Sequence, residues 1–140
     1  MIEKITKEEK IRATYPVMSQ LRCHLTEQQY VEAVLRQQQN SPYQLAVLSE
    51  DGRVCCLAGY RISECLAWGK FLYVDDLVSD GNLRSKNHGK QMMQWLVEEA
   101  IKNGCKQLHL DSGVQRHGAH RFYLRERMDI TCYHFALPVQ

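Results

Sequence analysis

The sequence predicts an α/β protein in which helices pack around a mixed, mainly antiparallel sheet. Two observations predict this class. Runs rich in β-branched and aromatic residues flank Asp51-Gly52, a dipeptide typical of tight hairpin turns. The strongest helical periodicity of the chain, from Gly89 to Ile101, lies between two further strand-like runs, as in a unit of strand, helix and parallel strand.

Composition limits the class of protein further. A chain of 140 residues with 44% hydrophobic and 24% charged residues fits one globular domain over residues 1–140. The net charge of +2 lacks the strongly basic character of a nucleic-acid binder, and no apolar run suits a secretory signal or a bilayer, so we expect a cytoplasmic protein without membrane association. The six cysteines form no CxxC pair and are expected to be reduced, buried thiols.

The N-terminal part is predicted to be mostly helical. A strand at Ile2 to Ile5 precedes a short helix that begins near Lys7 and is interrupted by Tyr15-Pro16. The capping box at Thr26–Gln29 opens a clearer helix, which Asn40-Ser41-Pro42 ends.

The rest of the chain alternates between the two periodicities. A helix is predicted after Gly118, where Ala119, Phe122 and Tyr123 keep helical spacing, and Asn103-Gly104 closes the preceding helix. The predicted strands are Tyr43 to Ser49, Val54 to Ile62, Lys70 to Val78, Gln107 to Leu110 and Ile130 to Leu137.

The turn before the long helix has the composition of an anion site. Its backbone N–H groups and cationic side chains stand at a helix N-terminus, where the helix dipole favours negative charge, so phosphate is the expected ligand chemistry. A solvated basic loop is the alternative, and a P-loop is disfavoured because the lysine followed by Ser or Thr is absent. The residues concerned are Arg84, Ser85, Lys86, Asn87, His88, Gly89 and Lys90.

Three segments in the same order resemble the GNAT superfamily of N-acetyltransferases, closest to its compact, single-domain bacterial members. Arg84 to Gly89 supplies the Arg and the last Gly of the central motif, with Asn87 in place of the first Gly. Ala119 to Leu124 resembles the later helix of the family, and Leu108 to Gly113 with Tyr73 to Val78 resembles the two splayed strands. Arg127-Met128 stands where the family usually has Gly-Phe.

The resemblance implies a six- or seven-stranded sheet with splayed central strands, about four helices and a last strand that could pair across a homodimer. It implies acetyl-CoA as cosubstrate, no metal, and an amine acceptor. The backbone of Leu77 and Val78 would hold the pantetheine arm. The turn would hold the pyrophosphate through Arg84, Ser85, Lys86, Asn87, His88, Gly89 and Lys90, and further cofactor contacts would come from Ser112, Ala119 and Phe122.

Two residues are candidates for the chemistry. In the resemblance Tyr123 is the general acid that protonates the departing thiolate, although a Tyr on an amphipathic helix is commonly a core residue. Asp75 and Asp76 are candidate bases, and only one should face the cleft, because successive strand residues point to opposite faces. Asp76 is favoured because it directly precedes Leu77 in the resemblance. Asp76 could instead only attract a cationic substrate or cap a bulge.

Other readings of the residues remain open. The connection from Tyr15 to Leu25 would form one wall of the acceptor cleft and suits a small amine, a peptide N-terminus or a lysine side chain equally well. A metal site that combines His117 and His120 with Cys132 and His134 is not expected, because the spacing supplies no fitting set of ligands. The alternative function is a non-catalytic module that binds acyl-CoA or another protein.

Overall fold

The computed structural model describes residues 1–83 and 87–140, and within them a five-stranded sheet and five helices. No helix in these two ranges is long and apolar enough to span a bilayer. The elements are β1 (Ile2–Ile5), α1 (Glu8–Ala13), α2 (Tyr15–Met18), α3 (Glu27–Asn40), β2 (Tyr43–Glu50), β3 (Arg53–Cys65), β4 (Gly69–Ser79), α4 (His88–Lys102), β5 (Gln107–Leu110) and α5 (His117–Arg125), with a 3-10 turn at Gly81–Leu83.

The strands follow one another across the sheet in chain order, and β1 to β4 form antiparallel pairs. Asp51 and Gly52 both have positive φ angles, 52° and 74°, which confirms the predicted hairpin between β2 and β3. The strand β5 lies beside β4, and the N–H of Lys106 donates to the carbonyl of Lys70 (2.7 Å), so the two strands begin at the same end of the sheet, as parallel neighbours do.

Both faces of the sheet are covered by helices. On one face, residues of α1, α2 and α3 form a core cluster with alternate strand residues such as Tyr43, Leu45 and Leu57. On the other face α4 packs on β3 and β4, where Tyr60 meets Trp95 edge to face. The alternation of side chains along β3 separates Leu57 from Tyr60 in this way.

The predictions for the first four strands and for the helices before β2 are largely confirmed. The Thr26 capping box is present, with Thr26 accepting from the N–H of Gln29 and the Gln29 side chain accepting from the N–H of Thr26. Pro16 interrupts the first helix as expected. Pro16 also lies in the first turn of a second helix, α2, where a proline is tolerated because its missing N–H is not needed.

The predicted count of six or seven strands and about four helices is wrong in the described residues, which form five of each. The difference in strands comes from 130–137, which has no strand assignment and exposes Ile130, Tyr133, Phe135 and Leu137. Its alternating apolar composition suits a strand, but strand pairing depends on a partner edge rather than on composition alone.

The chain divides into two compact units, Met1–His109 and Leu110–Gln140, which are described separately. The first contains the sheet with α1 to α4. The second unit contains α5 and the C-terminal segment that follows it. The carboxylate of Asp111, which precedes α5, lies 3.5 Å from Nδ1 of His134 in that segment. The single domain expected over residues 1–140 stays a prediction.

Candidate active site

A β-bulge in the middle of β4 determines where its two adjacent aspartates point. Gly59 of β3 pairs with Asp76, but the next residue, Tyr60, pairs with Val74, so Asp75 is an extra residue on β4. A bulge bends the strand and redirects side chains. The expectation that only one aspartate faces the cleft is therefore wrong, because both line the same pocket.

This pocket lies in the first unit, on the side of the sheet covered by α2 and α3, and has a volume of about 470 Å³. It combines two carboxylates, cationic groups and aromatic rings, which is typical of a site for a small polar ligand. Its walls include part of the predicted acceptor wall. The lining residues are Met18, Arg22, His24, Leu25, Tyr30, Ala33, Val34, Gln37, Tyr43, Tyr73, Asp75 and Asp76.

Asp76 is held by two donors inside this pocket. Nε of Arg22 donates to Oδ1 (2.8 Å) and the hydroxyl of Tyr43 donates to Oδ2 (2.8 Å), and the Asp76 side chain is only 14% exposed. A second nitrogen of Arg22 donates to the backbone carbonyl of Asp75 (2.9 Å). Arg22 thus ties the connection after α2 to the bulge and neutralises one carboxylate there.

Asp75 has a weaker set of partners. Nε of Arg61 donates to its Oδ2 at 2.8 Å, and Arg61 is itself held by Gln37 (2.6 Å) and Ser41 (3.1 Å) and lies over the ring of Tyr43. Burial raises the pKa of Asp75 above its ordinary value, and the Arg61 bond offsets only part of that shift. A carboxylate with a raised pKa in a pocket is a recognised mark of a functional site.

Gly59 makes the arrangement sterically possible. A Cβ atom at this position would collide with the hydroxyl of Tyr43 and would lie 2.5 Å from Oδ2 of Asp76. Only a glycine opposite the bulge lets these two side chains meet over the β3 backbone. The sequence analysis missed Gly59, and its one signal is a glycine inside an otherwise apolar strand.

Two of the three tyrosines that line the pocket, Tyr30 and Tyr43, remain protonated at neutral pH. Burial raises the pKa of Tyr30 to about 12, and burial together with the negative charge of Asp76 raises the pKa of Tyr43 well above its ordinary value. Both hydroxyls therefore act as hydrogen-bond donors rather than as bases. Tyr43 and Arg61 were not predicted as site residues, and Arg22 was predicted only as part of the acceptor wall from Tyr15 to Leu25. A charged residue inside a β-rich run is the signal for Arg61.

The predicted anion turn is described only in its second half. Arg84, Ser85 and Lys86 lie outside the described residues. Asn87 has φ 59° and ψ 25°, a left-handed conformation that asparagine tolerates better than other non-glycine residues, and it caps α4. Its carbonyl accepts from the N–H of Gln91 (3.0 Å).

The helix α4 starts one residue earlier than predicted. His88 is its first residue and has a buried side chain, whereas Gly89 is half-buried and Lys90 is exposed. His88 was predicted to contribute its backbone to an anion site. Its imidazole points instead toward Glu50, with Nε2 at 3.2 Å from Oε1.

Leu77 and Val78 lie near the end of β4, where they pair with Ala58 and Leu57 of β3. The strand β5 has only four residues and begins beside Lys70, so it cannot accompany the eleven residues of β4 to that end. The strand edge at Leu77 and Val78 is thus beyond the reach of β5, in the place where the predicted splay would leave it.

The second unit holds the other predicted residues. Ala119, Phe122 and Tyr123 all lie on α5 and are half-buried, and the rings of Phe122 and Tyr123 are 5.5 Å apart. Burial raises the pKa of Tyr123, although Arg116 lowers it in part, so its hydroxyl carries a proton at neutral pH. The hydroxyl of Ser112 is buried and has no hydrogen-bond partner in the described part of the chain.

The turn after α5 departs from its expected glycine in sequence but keeps a left-handed backbone. Arg127 has φ 65°, and the N–H of Met128 donates to the carbonyl of Tyr123 (3.1 Å). Such a φ is uncommon for a residue with a long side chain. Arg127 thus adopts a left-handed conformation that a glycine at this position would adopt more easily.

In the first unit helices cover both faces of the sheet, β4 carries a bulge, and a left-handed residue precedes α4. Residues 9–128 match the model of the Acetyltransferase (GNAT) family. The chain belongs to this family, which confirms the resemblance drawn from the three segments.

Individual relatives agree with this assignment. The chain is 33% identical over 140 residues to an uncharacterized N-acetyltransferase, YhdJ, of Bacillus subtilis (99% of this chain and 98% of the relative). It is 38% identical over 53 residues to the aminoalkylphosphonate N-acetyltransferase of Salmonella typhimurium (38% and 34%). A GNAT acetyltransferase of Staphylococcus aureus has the same fold, with a TM-score of 0.83 at 15% identity over 99% and 98% of the two chains.

Proposed function

We propose that the protein is an acetyl-CoA-dependent N-acetyltransferase whose acceptor is a small, cationic primary amine. The observation that carries this proposal is the bulge at Asp75, which turns two adjacent carboxylates toward one pocket of about 470 Å³. Carboxylates attract an ammonium group, and the pocket volume is that of a small-molecule site. The Salmonella relative is named for an aminoalkylphosphonate, which supports an acceptor that is a small amine; its anionic phosphonate does not support the net positive charge, which we infer from the two carboxylates alone.

The reaction is a direct transfer. The amine nitrogen attacks the thioester carbonyl, a C–N bond forms and the C–S bond breaks, and the product is an amide with free CoA. We assign Asp76 to take the proton of the ammonium and Tyr123 to protonate the departing thiolate. The raised pKa of Tyr123 keeps its hydroxyl protonated, so that the proton is available to the thiolate. At the other group, an acceptor that reaches Asp76 would have to displace Arg22.

The cosubstrate contacts follow the family resemblance. We propose that Leu77 and Val78 bind the pantetheine arm through their backbone, and that the turn binds the pyrophosphate through Arg84, Ser85, Lys86, Asn87, His88, Gly89 and Lys90. Ser112, Ala119 and Phe122 would add further cofactor contacts. The end of β4, which β5 does not reach, and the left-handed Asn87 support this assignment.

Kinetics test the two catalytic roles. Tyr123→Phe should lower kcat by roughly 100-fold, as expected for the loss of a general acid, while the matched variant Tyr133→Phe, which changes an exposed tyrosine, should not. Asp76→Asn should lower the acceptor kcat/KM by roughly 100-fold, because it removes the carboxylate proposed to take the ammonium proton. Ping-pong kinetics with a trapped acetyl-enzyme, or unchanged turnover in Tyr123→Phe, would overturn the mechanism.

A non-catalytic module that binds acyl-CoA is the second candidate, favoured by the replacement of two expected glycines by Asn87 and Arg127. An acceptor panel separates the two functions. Release of free CoA should be measured with an aminoalkylphosphonate, an amino acid, a polyamine and a peptide with a free N-terminus. The proposed enzyme releases CoA with a small amine, and binding of acetyl-CoA without release from any acceptor favours the module.

We also propose a homodimer in which a second copy covers the exposed apolar side chains of the C-terminal segment. Ile130, Tyr133, Phe135, Leu137 and Val139 are each 79–90% exposed, which is unusual for five apolar residues in one short stretch. Light scattering should give twice the monomer mass of 16.3 kDa. A cytoplasmic location stays part of the proposal, as the compartment in which six thiols remain reduced.

A further inference from the structure

A second cluster of reactive side chains lies in the first unit, at the turn end of the β2–β3 hairpin. Glu50 ends β2, Cys55 follows the turn in β3, and His88 begins α4. One ligand atom from each residue lies within 4.8 Å of the other two. A carboxylate, a thiol and an imidazole thus meet at one point although they come from three different elements.

The imidazole of His88 is the unusual member of the cluster. Its side chain is 2% exposed, and neither ring nitrogen makes a hydrogen bond of good geometry in the described residues, even though Nε2 lies 3.2 Å from Oε1 of Glu50. A buried polar group without a hydrogen-bond partner destabilises the folded state, so such a group requires an explanation. An ion pair with Glu50 alone would leave Nδ1 without a partner.

We propose that Glu50, Cys55 and His88 bind a divalent ion of the zinc class, with water or an outside ligand in the fourth position. The donor set of one sulfur, one nitrogen and one oxygen suits Zn²⁺, whereas Mg²⁺ and Ca²⁺ prefer oxygen ligands only. Three protein ligands and an open position make a site that can exchange its metal.

The geometry needs only a small contraction. Zinc bond lengths of about 2.0–2.3 Å place tetrahedral ligand atoms roughly 3.3–3.8 Å apart, which is somewhat closer than the 4.8 Å limit of the cluster. Oε1 of Glu50 already lies 3.2 Å from Nε2 of His88, so the contraction concerns the approach of the buried Cys55 thiol to these two groups. In the metal-free protein the Cys55 thiol donates to the carbonyl of Arg53 (3.3 Å), a weak hydrogen bond that metal binding would replace.

The bound ion would connect the hairpin to the first turn of α4. His88 directly follows Asn87, whose left-handed conformation ends the predicted anion turn. Metal binding would therefore stabilise the start of α4 against the sheet. Binding itself does not depend on acetyl transfer, so the site can be tested whether or not the proposed activity exists.

The test is a titration of the full-length protein with Co²⁺, followed by competition with Zn²⁺. Cys23 and Cys132 are exposed and are first replaced by Ser, so that their thiols do not contribute. We expect one equivalent of Co²⁺ to give a thiolate-to-cobalt charge-transfer band, which Zn²⁺ abolishes. Cys55→Ser should remove the band, whereas Cys56→Ser, which changes the next buried thiol on the opposite side of the strand, should keep it.

Glu50→Gln provides a variant that should fold normally, because this side chain is half exposed. It should weaken Zn²⁺ binding by about tenfold or more, and Asp51→Asn, which changes the neighbouring exposed carboxylate, should not. The proposal is overturned if the band persists in Cys55→Ser, or if Glu50→Gln binds Zn²⁺ as tightly as the unchanged protein.

Discussion

The buried carboxylate of Glu99 and the half-buried carboxylate of Asp75 lie on opposite faces of the sheet and have opposite pKa shifts. On the α4 face, Glu99 accepts from the hydroxyl of Tyr60 (2.7 Å) and from Nζ of Lys4 (3.0 Å), and its side chain is 5% exposed. Desolvation raises the pKa of Glu99, but the hydrogen bonds from Tyr60 and Lys4 outweigh it, and the net shift is downward. On the pocket face, desolvation outweighs the hydrogen bond from Arg61, and the pKa of Asp75 is raised.

The number of partners explains this difference. Glu99 joins α4 to β1 and β3 through two donors on two strands, so its charge stabilises the packing of the fold. Asp75 has one ion-pair partner, Arg61, and lies in an open pocket. This single partner offsets only part of the desolvation that disfavours its charged form. The comparison separates a carboxylate that holds the structure together from one that is available to a ligand.

The largest expected effect is on the pocket face. Gly59→Ala should lower the free energy of unfolding by about 2–3 kcal/mol, because the added methyl group collides with Tyr43 and Asp76, and it should lower the acceptor kcat/KM with it. Urea unfolding and steady-state kinetics measure the two losses. Gly118→Ala is the control, since no atom lies near its Cβ position and the helix α5 should tolerate alanine. An unchanged unfolding midpoint in Gly59→Ala would contradict the close contact.

A smaller loss is expected on the α4 face. Glu99→Gln should lower the free energy of unfolding by about 2 kcal/mol, because it replaces charge-assisted hydrogen bonds by weaker ones in a buried site. The acceptor KM should not change. Glu98→Gln, at the exposed neighbouring position of α4, is the matched control. If Glu99→Gln raised the acceptor KM as well, the separation of the two faces would fail.

The smallest expected effect is a difference in pH dependence. The folded-state pKa of Glu99 lies below its ordinary value of 4.5, so its stabilising contribution is present above that pH and is lost as the pH falls through the folded pKa. Unfolding of the unchanged protein and of Glu99→Gln should therefore converge in acid.

Asp75 should behave with the opposite sign. Its folded-state pKa lies above the ordinary value of 3.8, so the folded state favours the protonated form, and this advantage is lost as the pH rises through the folded pKa. Asp75→Asn should consequently gain stability relative to the unchanged protein on going from acid to neutral pH. Parallel pH curves for the Asp75 and Glu99 variants would refute the comparison.

Local signals in the sequence predicted most of the elements. The hairpin at Asp51-Gly52, the capping box at Thr26 and the helix stop at Asn103-Gly104 each depend on a few neighbouring residues, and each is present in the structure. The prediction of a strand at 130–137 was wrong, because a strand needs the edge of another strand to pair with. The composition of this segment contains no information about such an edge.

The candidate site was predicted less completely for the same reason. Asp76 was favoured because it directly precedes Leu77 in the family resemblance, and the period of two along a strand assigned Asp75 to the opposite face. The bulge that brings both together is a property of the pairing between β3 and β4. Arg22 and Tyr43 reach Asp76 from positions 54 and 33 residues away, which no local pattern connects.

By itself the sequence determined the family and most of the order of its elements, apart from the additional helix α2 and the C-terminal strand that is absent from the described residues, because these depend on short-range backbone preferences and on motif spacing. Only the tertiary structure decided which polar groups share a pocket. The bulge at Asp75, the clearance at Gly59 and the cluster around His88 each arise where separate elements meet, so their physical cause is packing between distant segments rather than the preference of any one segment.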